Sequence, residues 1–240
     1  MIDVHPPHED IHTWKNYLIH MSTIVLGLLI AIGLEQSVEA LHRVHERQDL
    51  RESLNRDSEK IIADAAQAEK AQAGPLDWLQ TRQREIQDAQ RAHRPLPASI
   101  PRQPRIYSVV PINPAWDAAK SSGLLPLLTQ REVQAYSEMD SLFAKKGTAY
   151  DTGISASKKI GQFENRYADP HNRALMDLSS ATPAELDHYL DLLSDEYIAW
   201  GFYGVRCNFL RGGETAVLAG ERNLAQIQKA ELQFFSASNY

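Results

Sequence analysis

An uncharged run of nineteen residues near the N-terminus, Asn16 to Leu34, constrains this chain more than any other feature of its sequence. The run reads NYLIHMSTIVLGLLIAIGL, and as an α-helix rising about 1.5 Å per residue it nearly spans the hydrocarbon layer of a bilayer. Trp14 and Tyr17 stand at its entrance, where amphipathic rings favour the headgroup region, and Glu35 marks its far boundary. The sequence therefore predicts one transmembrane helix over residues 17–34, with the lipid bilayer as its partner.

Two other kinds of segment have a similar composition. A buried helix of a soluble core is usually shorter and seldom has aromatic and charged residues at its ends. A cleaved signal peptide is the second alternative, because Val38-Glu39-Ala40 loosely fits the small-residue rule for cleavage. The apolar run is longer than the usual core of a signal peptide and acidic residues precede it, which favours a retained anchor.

Small residues in the predicted span form a candidate packing stripe. Thr23, Gly27 and Ala31 recur every four residues, so they share one face of the helix. Small residues at this spacing let two membrane helices approach closely, which predicts a homo-oligomer formed through the transmembrane and juxtamembrane helices. The alternative is that such residues are simply common in membrane helices.

The orientation of the span stays open. Lys15 precedes it, whereas Arg43, Arg47 and Arg51 follow it, and this excess favours a cytoplasmic C-terminal domain. The nearest charges after the span are acidic, however, and large domains can cross the membrane despite such a bias.

The remaining sequence predicts an all-α protein, in which the transmembrane helix continues into a juxtamembrane helix followed by a helical bundle. Gly74-Pro75 is expected to end the juxtamembrane helix and so to produce a helical hairpin. The proline-rich stretch after it is expected to be a linker, with a short strand at 106–110. The predicted order is a tail over 1–16, the span over 17–34, the hairpin over 35–93, the linker over 94–112 and the bundle over 113–240.

The sequence of the predicted bundle carries clear signals for the positions where its helices begin and end. Capping residues, capping boxes and first-turn prolines mark the starts of helices. Four pairs are of this kind: Asn113 with Pro114, Thr129 with Glu132, Asp169 with Pro170, and Thr182 with Glu185. Gly123 is expected to follow the first of these helices, and Gly212-Gly213 to separate or bend the last two.

Two stretches resemble a known group of proteins: WKNYLIHMSTIVLGLLIAIGLEQSVEALHRVHE and PAWDAAKSSGLLPLLTQREVQAYSEM. They are similar to uncharacterised bacterial membrane-anchored proteins with a Gly-Leu-Leu-Ile-Ala type span and a later Trp-x-Ala-Ala-x-x-x-Gly helix. Trp116, Ala118, Ala119 and Gly123 match that helix. The resemblance covers about a quarter of the chain, implies a bacterial inner-membrane protein and implies no particular activity.

The sharpest catalytic pattern is His8-Glu9-Asp10-Ile11-His12, an HExxH sequence. On a helix, His8 and His12 would hold zinc and Glu9 would act as the base for attack by water. The pattern lies in a short tail next to the predicted span and has no obvious third ligand, so we assign no metal site and treat these residues, together with His5, as weak candidates.

Three further groups of residues suggest chemistry but also have simpler, structural explanations. His42, His45, Glu46 and Asp49 form helical i,i+4 pairs suited to a metal or a pH response, or to a plain exposed face. Ser155-Ala156-Ser157-Lys158 fits S-x-x-K but lacks the accompanying elements of serine acyl enzymes. The aromatic group Tyr197, Trp200, Phe202 and Tyr203 suits a ligand pocket or, more simply, a core.

Charge and motif content exclude several classes of function. The formal net charge of −6 and the mixing of basic with acidic residues argue against a nucleic-acid partner. Nucleotide-binding and paired-cysteine motifs are absent, so no cofactor is expected. We therefore predict a non-enzymatic, membrane-anchored interaction, scaffold or sensory module. The alternatives are a membrane-bound metal-dependent hydrolase using HExxH and a small-ligand receptor in the C-terminal bundle.

Overall fold

A computed structural model describes residues 14–104, 106 and 112–237. Within these residues the chain is helical apart from loops and one small antiparallel sheet, so the predicted all-α fold is confirmed. The helices are α1 (Trp14–Arg91), α2 (Pro114–Ser122), α3 (Gln130–Arg166), α4 (Pro183–Leu218) and α5 (Leu224–Ala237). The strands are β1 (Ile100–Pro101) and β2 (Leu175–Met176), and a short 3-10 helix spans Leu125–Leu127.

The chain divides into two compact units, an N-terminal unit of Met1–Leu50 and a C-terminal unit of Arg51–Tyr240. In the N-terminal unit, α1 is helical from Trp14 onwards and the side chains from Trp14 to His45 are exposed. An 18-residue window of α1 has a mean hydropathy of 2.1, and 0% of it is buried. By length and composition this helix is able to cross a membrane, as the sequence predicts.

The expected break at Gly74-Pro75 is wrong, because α1 continues through both residues. Pro75 leaves the carbonyl of Ala71 without its helical partner, but Ala71 lies at the surface, where water can serve that oxygen. The helix is buried on both sides of this point, by Ala65 and Ala68 before it and by several apolar residues after it. Their burial offsets the cost of an internal proline, about 3 kcal/mol.

The core of the C-terminal unit is formed by the later part of α1 together with α3 and α4. One cluster joins Leu79 and Ile86 of α1 to Ile160 and Phe163 of α3 and to Tyr189 of α4. The rings of Phe163 and Tyr189 stack with centroids 4.6 Å apart. A second cluster is centred on Trp200 and Tyr203 of α4 and includes Ala65 and Ala68 of α1. Each amphipathic helix therefore buries its apolar stripe against the other two.

Three of the four predicted helix starts are confirmed. Thr129 and Thr182 each form a capping box, in which the threonine hydroxyl accepts a backbone N–H and the glutamate three residues later accepts the threonine N–H. α2 begins at Pro114, and Gly123 ends it in the left-handed conformation with φ of 74°. The capping boxes and the first-turn proline mark these starts correctly, whereas the Asn113 side chain forms no capping hydrogen bond.

The fourth predicted start, Asp169 with Pro170, is wrong. The Asp169 carboxylate instead accepts the backbone N–H groups of His171 and Asn172, at 2.7 and 3.2 Å, and closes a turn. Aspartate caps turns and helices with the same hydrogen bond, so the residue alone does not distinguish the two. The turn leads into β2, which pairs with β1.

Gly212-Gly213 does not separate the last two helices, because α4 continues to Leu218 and Gly220 lies in the following turn. A Cβ added at Gly212 would lie 2.9 Å from the carbonyl oxygen of Ala230 and from Cα of Glu231 in α5. The absence of side chains here lets α5 lie directly against the backbone of α4.

Candidate functional site: a polar cleft beside Ser157

A cleft of about 610 Å³ lies in the C-terminal unit beside α3. Its walls combine charged, polar and small apolar residues from three segments of the chain. The lining residues are Arg102, Gln103, Pro104, Ile106, Ile154, Ser157, Gly161, Glu164, Arg173 and Ala174. The volume falls within the range of small-molecule sites.

Helical spacing and strand pairing bring these segments together. Ile154, Ser157, Gly161 and Glu164 follow one another at intervals of three or four residues, so they share one face of α3. The opposite wall follows from the antiparallel pairing of β1 with β2, which is extended by a hydrogen bond of 2.9 Å from the Arg102 N–H to the Ala174 carbonyl. The sheet thus places the residues after β1 and those before β2 against α3.

Glu196 of α4 lies behind this wall and is completely buried. Its Oε1 atom accepts hydrogen bonds from the Ser157 hydroxyl, from the Gln103 side-chain amide and, at 3.1 Å, from the Trp200 indole N–H. Its Oε2 atom is buried and has no hydrogen-bond partner among the described residues. Burial raises the pKa of Glu196 above its ordinary value, and the three donors only partly oppose that shift.

Glu164 is the second buried carboxylate of the site, and it lines the cleft directly. It accepts the hydroxyl of Tyr189 at 2.8 Å, the backbone N–H of Gln103 at 3.2 Å and the Arg102 Nε–H at 3.4 Å. Burial raises its pKa, although these hydrogen bonds and the Arg102 charge oppose the shift.

The two carboxylates differ in their charge partners. Glu164 forms an ion pair with Arg102, whereas the three groups bonded to Glu196 are neutral donors. The guanidinium of Arg102 also donates to the Arg173 carbonyl at 3.1 Å and to Asn165 Oδ1 at 2.8 Å. Glu164 therefore has a cationic partner at this site, whereas Glu196 has none among the described residues.

The sequence-predicted metal candidates lie elsewhere. His5, His8, Glu9 and His12 fall outside the described residues. His42 contacts Glu46 at 3.2 Å, while His45 Nδ1 lies 2.9 Å from its own helix, at the Leu41 carbonyl. Over residues 14–104, 106 and 112–237, no three His, Cys, Asp or Glu side chains are grouped to hold a metal.

The proposed packing stripe of Thr23, Gly27 and Ala31 is exposed on α1. The Thr23 hydroxyl donates to the Ile19 carbonyl at 2.9 Å, and a Cβ added at Gly27 would meet nothing within 4 Å. The stripe is thus open in a single chain, and its role in self-association stays a prediction.

The residues of the S-x-x-K sequence and of the aromatic group do not share one environment in the structure. Ser155 and Lys158 are exposed, whereas Ser157 between them faces the cleft. Trp200 and Tyr203 belong to the core and Phe202 is exposed. The aromatic group is therefore a core element with one surface member and does not line the described cleft.

Sequence reasoning missed Ser157, Glu164 and Glu196 as a group. One signal was present: Glu196 falls on the same face of α4 as Leu193 and Trp200, at intervals of three and four residues. An acidic residue inside an apolar stripe is more informative than another apolar one, because a buried charge needs partners. Its partners on α3 and after β1 are distant in sequence and carry no local signal.

Comparison of the chain with known protein families, curated proteins and solved structures finds no match. The resemblance to bacterial membrane-anchored proteins stays a prediction. The candidate site is therefore defined by its geometry: a cleft of small-molecule size, a wall hydroxyl bonded to a buried carboxylate, and no cationic partner for that carboxylate among the described residues.

Proposed function

We propose that this chain is a single-pass membrane protein of the bacterial inner membrane that presents a non-enzymatic helical module of the interaction, scaffold or sensory kind. One observation carries the proposal: the apolar part of α1 is 0% buried. A soluble protein rarely exposes such a continuous apolar surface, because each Å² of it in water costs about 25 cal/mol. Lipid chains would cover it.

The ends of this segment support the same arrangement. Trp14 and Tyr17 lie one turn apart, with ring centroids 5.7 Å apart, at the start of the helix. Aromatic rings of this kind favour the headgroup layer. At the other end, Glu39 and Arg43 form an exposed pair at 3.5 Å, which suits an aqueous boundary.

Paired lysine substitutions test the anchor. Leu26→Lys with Ile30→Lys places two charges inside the span, and Val38→Lys with Leu41→Lys places two beyond it. All four wild-type side chains are exposed, so neither pair removes a core contact. Each lysine at mid-span opposes insertion by about 3 kcal/mol.

We expect the first variant to lose membrane association, and the second to retain it. Equal partition of both variants with the membrane fraction would contradict the anchor. Measurement of the intact mass of the membrane-bound protein would also separate a retained anchor from cleavage near residue 40, since cleavage removes the span.

A small-ligand receptor is a second candidate function, and the cleft beside Ser157 favours it. The cleft has the size of a ligand site, and its wall hydroxyl is held by a fully buried carboxylate. Fixed polar groups of this kind set the orientation of a bound molecule. Membrane anchoring and ligand binding together would make the module a sensor.

Filling the cleft tests the receptor. A Cβ at Gly161, which lines the cleft, meets nothing within 4 Å, so Gly161→Leu adds bulk without an immediate clash. Gly147→Leu on the same helix is the matched control, since Gly147 is exposed and does not line the cleft. We expect native mass spectrometry to detect a co-purified small molecule in the wild type and in the control, and to lose it in Gly161→Leu. A wild-type protein that carries no such molecule, or a molecule retained in all three, would contradict this role for the cleft.

A further inference from the structure

We propose that the cleft beside Ser157 recognises a small molecule with a protonated amino group, and that Glu196 is the residue that selects for it. The inference rests on the receptor role above and names its ligand class. The juxtaposition that carries it is a fully buried carboxylate, with no cationic partner among the described residues, directly behind the wall of a small-molecule cleft.

Hydrogen-bond capacity shows that the Glu196 carboxylate is only partly satisfied. An ionised carboxylate only accepts hydrogen bonds, and its two oxygens offer about four positions. Oε1 of Glu196 accepts three donors, while Oε2 has none among the described residues. Oε2 is closed to solvent and Glu196 does not itself line the cleft, so a ligand acts on this carboxylate through the Ser157 hydroxyl and the Gln103 amide, which do line it.

The charge of the Glu196 carboxylate favours a cation next to the Ser157 hydroxyl. A buried carboxylate is stable when it either binds a proton or pairs with a positive group. Ser157, Gln103 and Trp200 provide hydrogen bonds but no charge. A ligand ammonium adjacent to the Ser157 hydroxyl would supply the missing charge.

The described part of the chain does not supply that cation itself. Arg102, one of the two arginines that line the cleft, is held by Glu164, Asn165 and the Arg173 carbonyl. Lys158 and Lys159 follow Ser157 on α3, but both are exposed. Arg173 also lines the cleft, but its side chain is exposed and forms no ion pair with Glu196, so a cation beside the Ser157 hydroxyl is left to a molecule that enters the cleft.

Two classes of small molecule, amines and amino acids, carry a protonated amino group. A simple amine needs only the side of the cleft at Ser157, in front of Glu196. An amino acid also carries a carboxylate, and Arg173 lines the same cleft with an exposed side chain that suits such a group. A volume of about 610 Å³ has room for either molecule.

The experiment uses full-length protein in detergent and three matched pools built on the same carbon skeletons. The first contains alanine, leucine and phenylalanine. The second contains the amines ethylamine, isopentylamine and phenethylamine, and the third the acids propanoate, 4-methylpentanoate and 3-phenylpropanoate. The readouts are the thermal unfolding midpoint and calorimetric titration of the active pool.

We expect the amino-acid pool, the amine pool or both to raise the midpoint, and the acid pool to leave it unchanged. A shift with amino acids alone identifies the zwitterion as the source, and a shift with amines identifies the ammonium as sufficient. A shift with the acid pool alone would overturn the amine assignment while leaving a receptor in place. No shift with any pool would overturn the ligand class, and the membrane anchor would be unaffected because its test is independent.

Glu196→Gln is the decisive variant, since it keeps the shape of the side chain and removes its charge. We expect the affinity for the active compound to fall roughly tenfold or more. Asp195→Asn, at the exposed neighbouring position on α4, is the matched control and should bind like the wild type. Equal binding by Glu196→Gln and the wild type would contradict the proposal. Should Glu196→Gln not fold, Ser157→Ala removes the hydroxyl that connects this carboxylate with the cleft, and wild-type affinity in that variant would equally contradict the proposal.

Discussion

Gly153 of α3 lies directly against the indole ring of Trp200 of α4, so closely that an added Cβ would be 2.8 Å from both Cδ2 and Cε2. Trp200 is fully buried, and its N–H donates to Glu196 and to Ser157, each at 3.1 Å. The missing side chain of Gly153 thus leaves the space occupied by a ring that supports the candidate site. The contact links the helix packing of the C-terminal unit to the polar wall of the cleft.

Gly153→Ala is expected to destabilise the C-terminal unit by about 1–2 kcal/mol. Overpacking against a rigid ring costs about 1–3 kcal/mol, and the better helix propensity of alanine returns only part of it. Gly147→Ala on the same helix meets nothing within 4 Å and should be neutral or stabilising by up to about 1 kcal/mol. Urea unfolding of the two variants measures the difference, and equal stabilities would contradict the close contact.

Gly212→Ala is expected to loosen α5 from α4. The added methyl group would meet backbone atoms of Ala230 and Glu231, which cannot rotate away. We expect faster amide exchange and earlier proteolysis within α5, with a loss of about 2 kcal/mol in stability. Gly201→Ala, on the same helix and with no neighbour within 4 Å, is the control. Unchanged amide exchange in α5 would contradict the expectation that the close contact between α4 and α5 needs glycine at position 212.

Glu132 is expected to stabilise the fold at neutral pH and to lose that effect in acid. It pairs with Arg51 at 2.8 Å and accepts the Thr129 N–H at 2.8 Å. Burial alone would raise its pKa, but these bonds outweigh it and lower the pKa to about 2 from an ordinary value of 4.5. Because the folded-state pKa is depressed, the contribution is complete above 4.5 and is lost as the pH falls towards 2.

Glu132→Gln should therefore reduce stability at neutral pH by about 1–3 kcal/mol and make it less dependent on pH in that acidic range. Glu59→Gln, at an exposed position of α1, is the control and should change neither. Chemical unfolding across the acidic range provides the measurement. A wild-type pH dependence in Glu132→Gln would contradict this assignment.

Glu214 should have the opposite pH dependence. Its side chain is buried and accepts the Ser58 hydroxyl at 2.7 Å, and burial raises its pKa to about 7. Since the folded state holds the proton more tightly, its contribution is greatest below 4.5 and is lost as the pH rises through 7. Glu214→Gln should weaken that loss and stabilise the unit above neutral pH, whereas Asp191→Asn, exposed on the same helix, should not. Unfolding above and below neutral pH decides between these outcomes.

Local chemistry was enough to predict the ends of several helices. Thr129 with Glu132 and Thr182 with Glu185 act within four residues, so their hydrogen bonds form wherever the chain begins a helix. The same applies to Gly123, whose left-handed conformation is favoured in glycine by its missing Cβ.

Tertiary packing decided the positions where prediction from sequence was wrong. Pro75 has a clear local preference against a helix interior, but burial of α1 before and after it outweighs that preference. The two glycines at 212 and 213 were expected to separate or bend the last two helices, whereas Gly212 makes room for the backbone of α5 and Gly213 for the side chain of Met139. The cleft was not predicted because Gln103, Ser157 and Glu196 are far apart in sequence and meet only in the folded unit.

Alkaline extraction of membranes that contain the full-length chain tests the central claim most directly. Lipid should remain the partner of the exposed apolar part of α1, because no described residue of the protein covers it. We predict that the intact chain sediments with the membrane after an alkaline wash and is released only by detergent. Recovery of the intact chain in the aqueous supernatant would contradict the account.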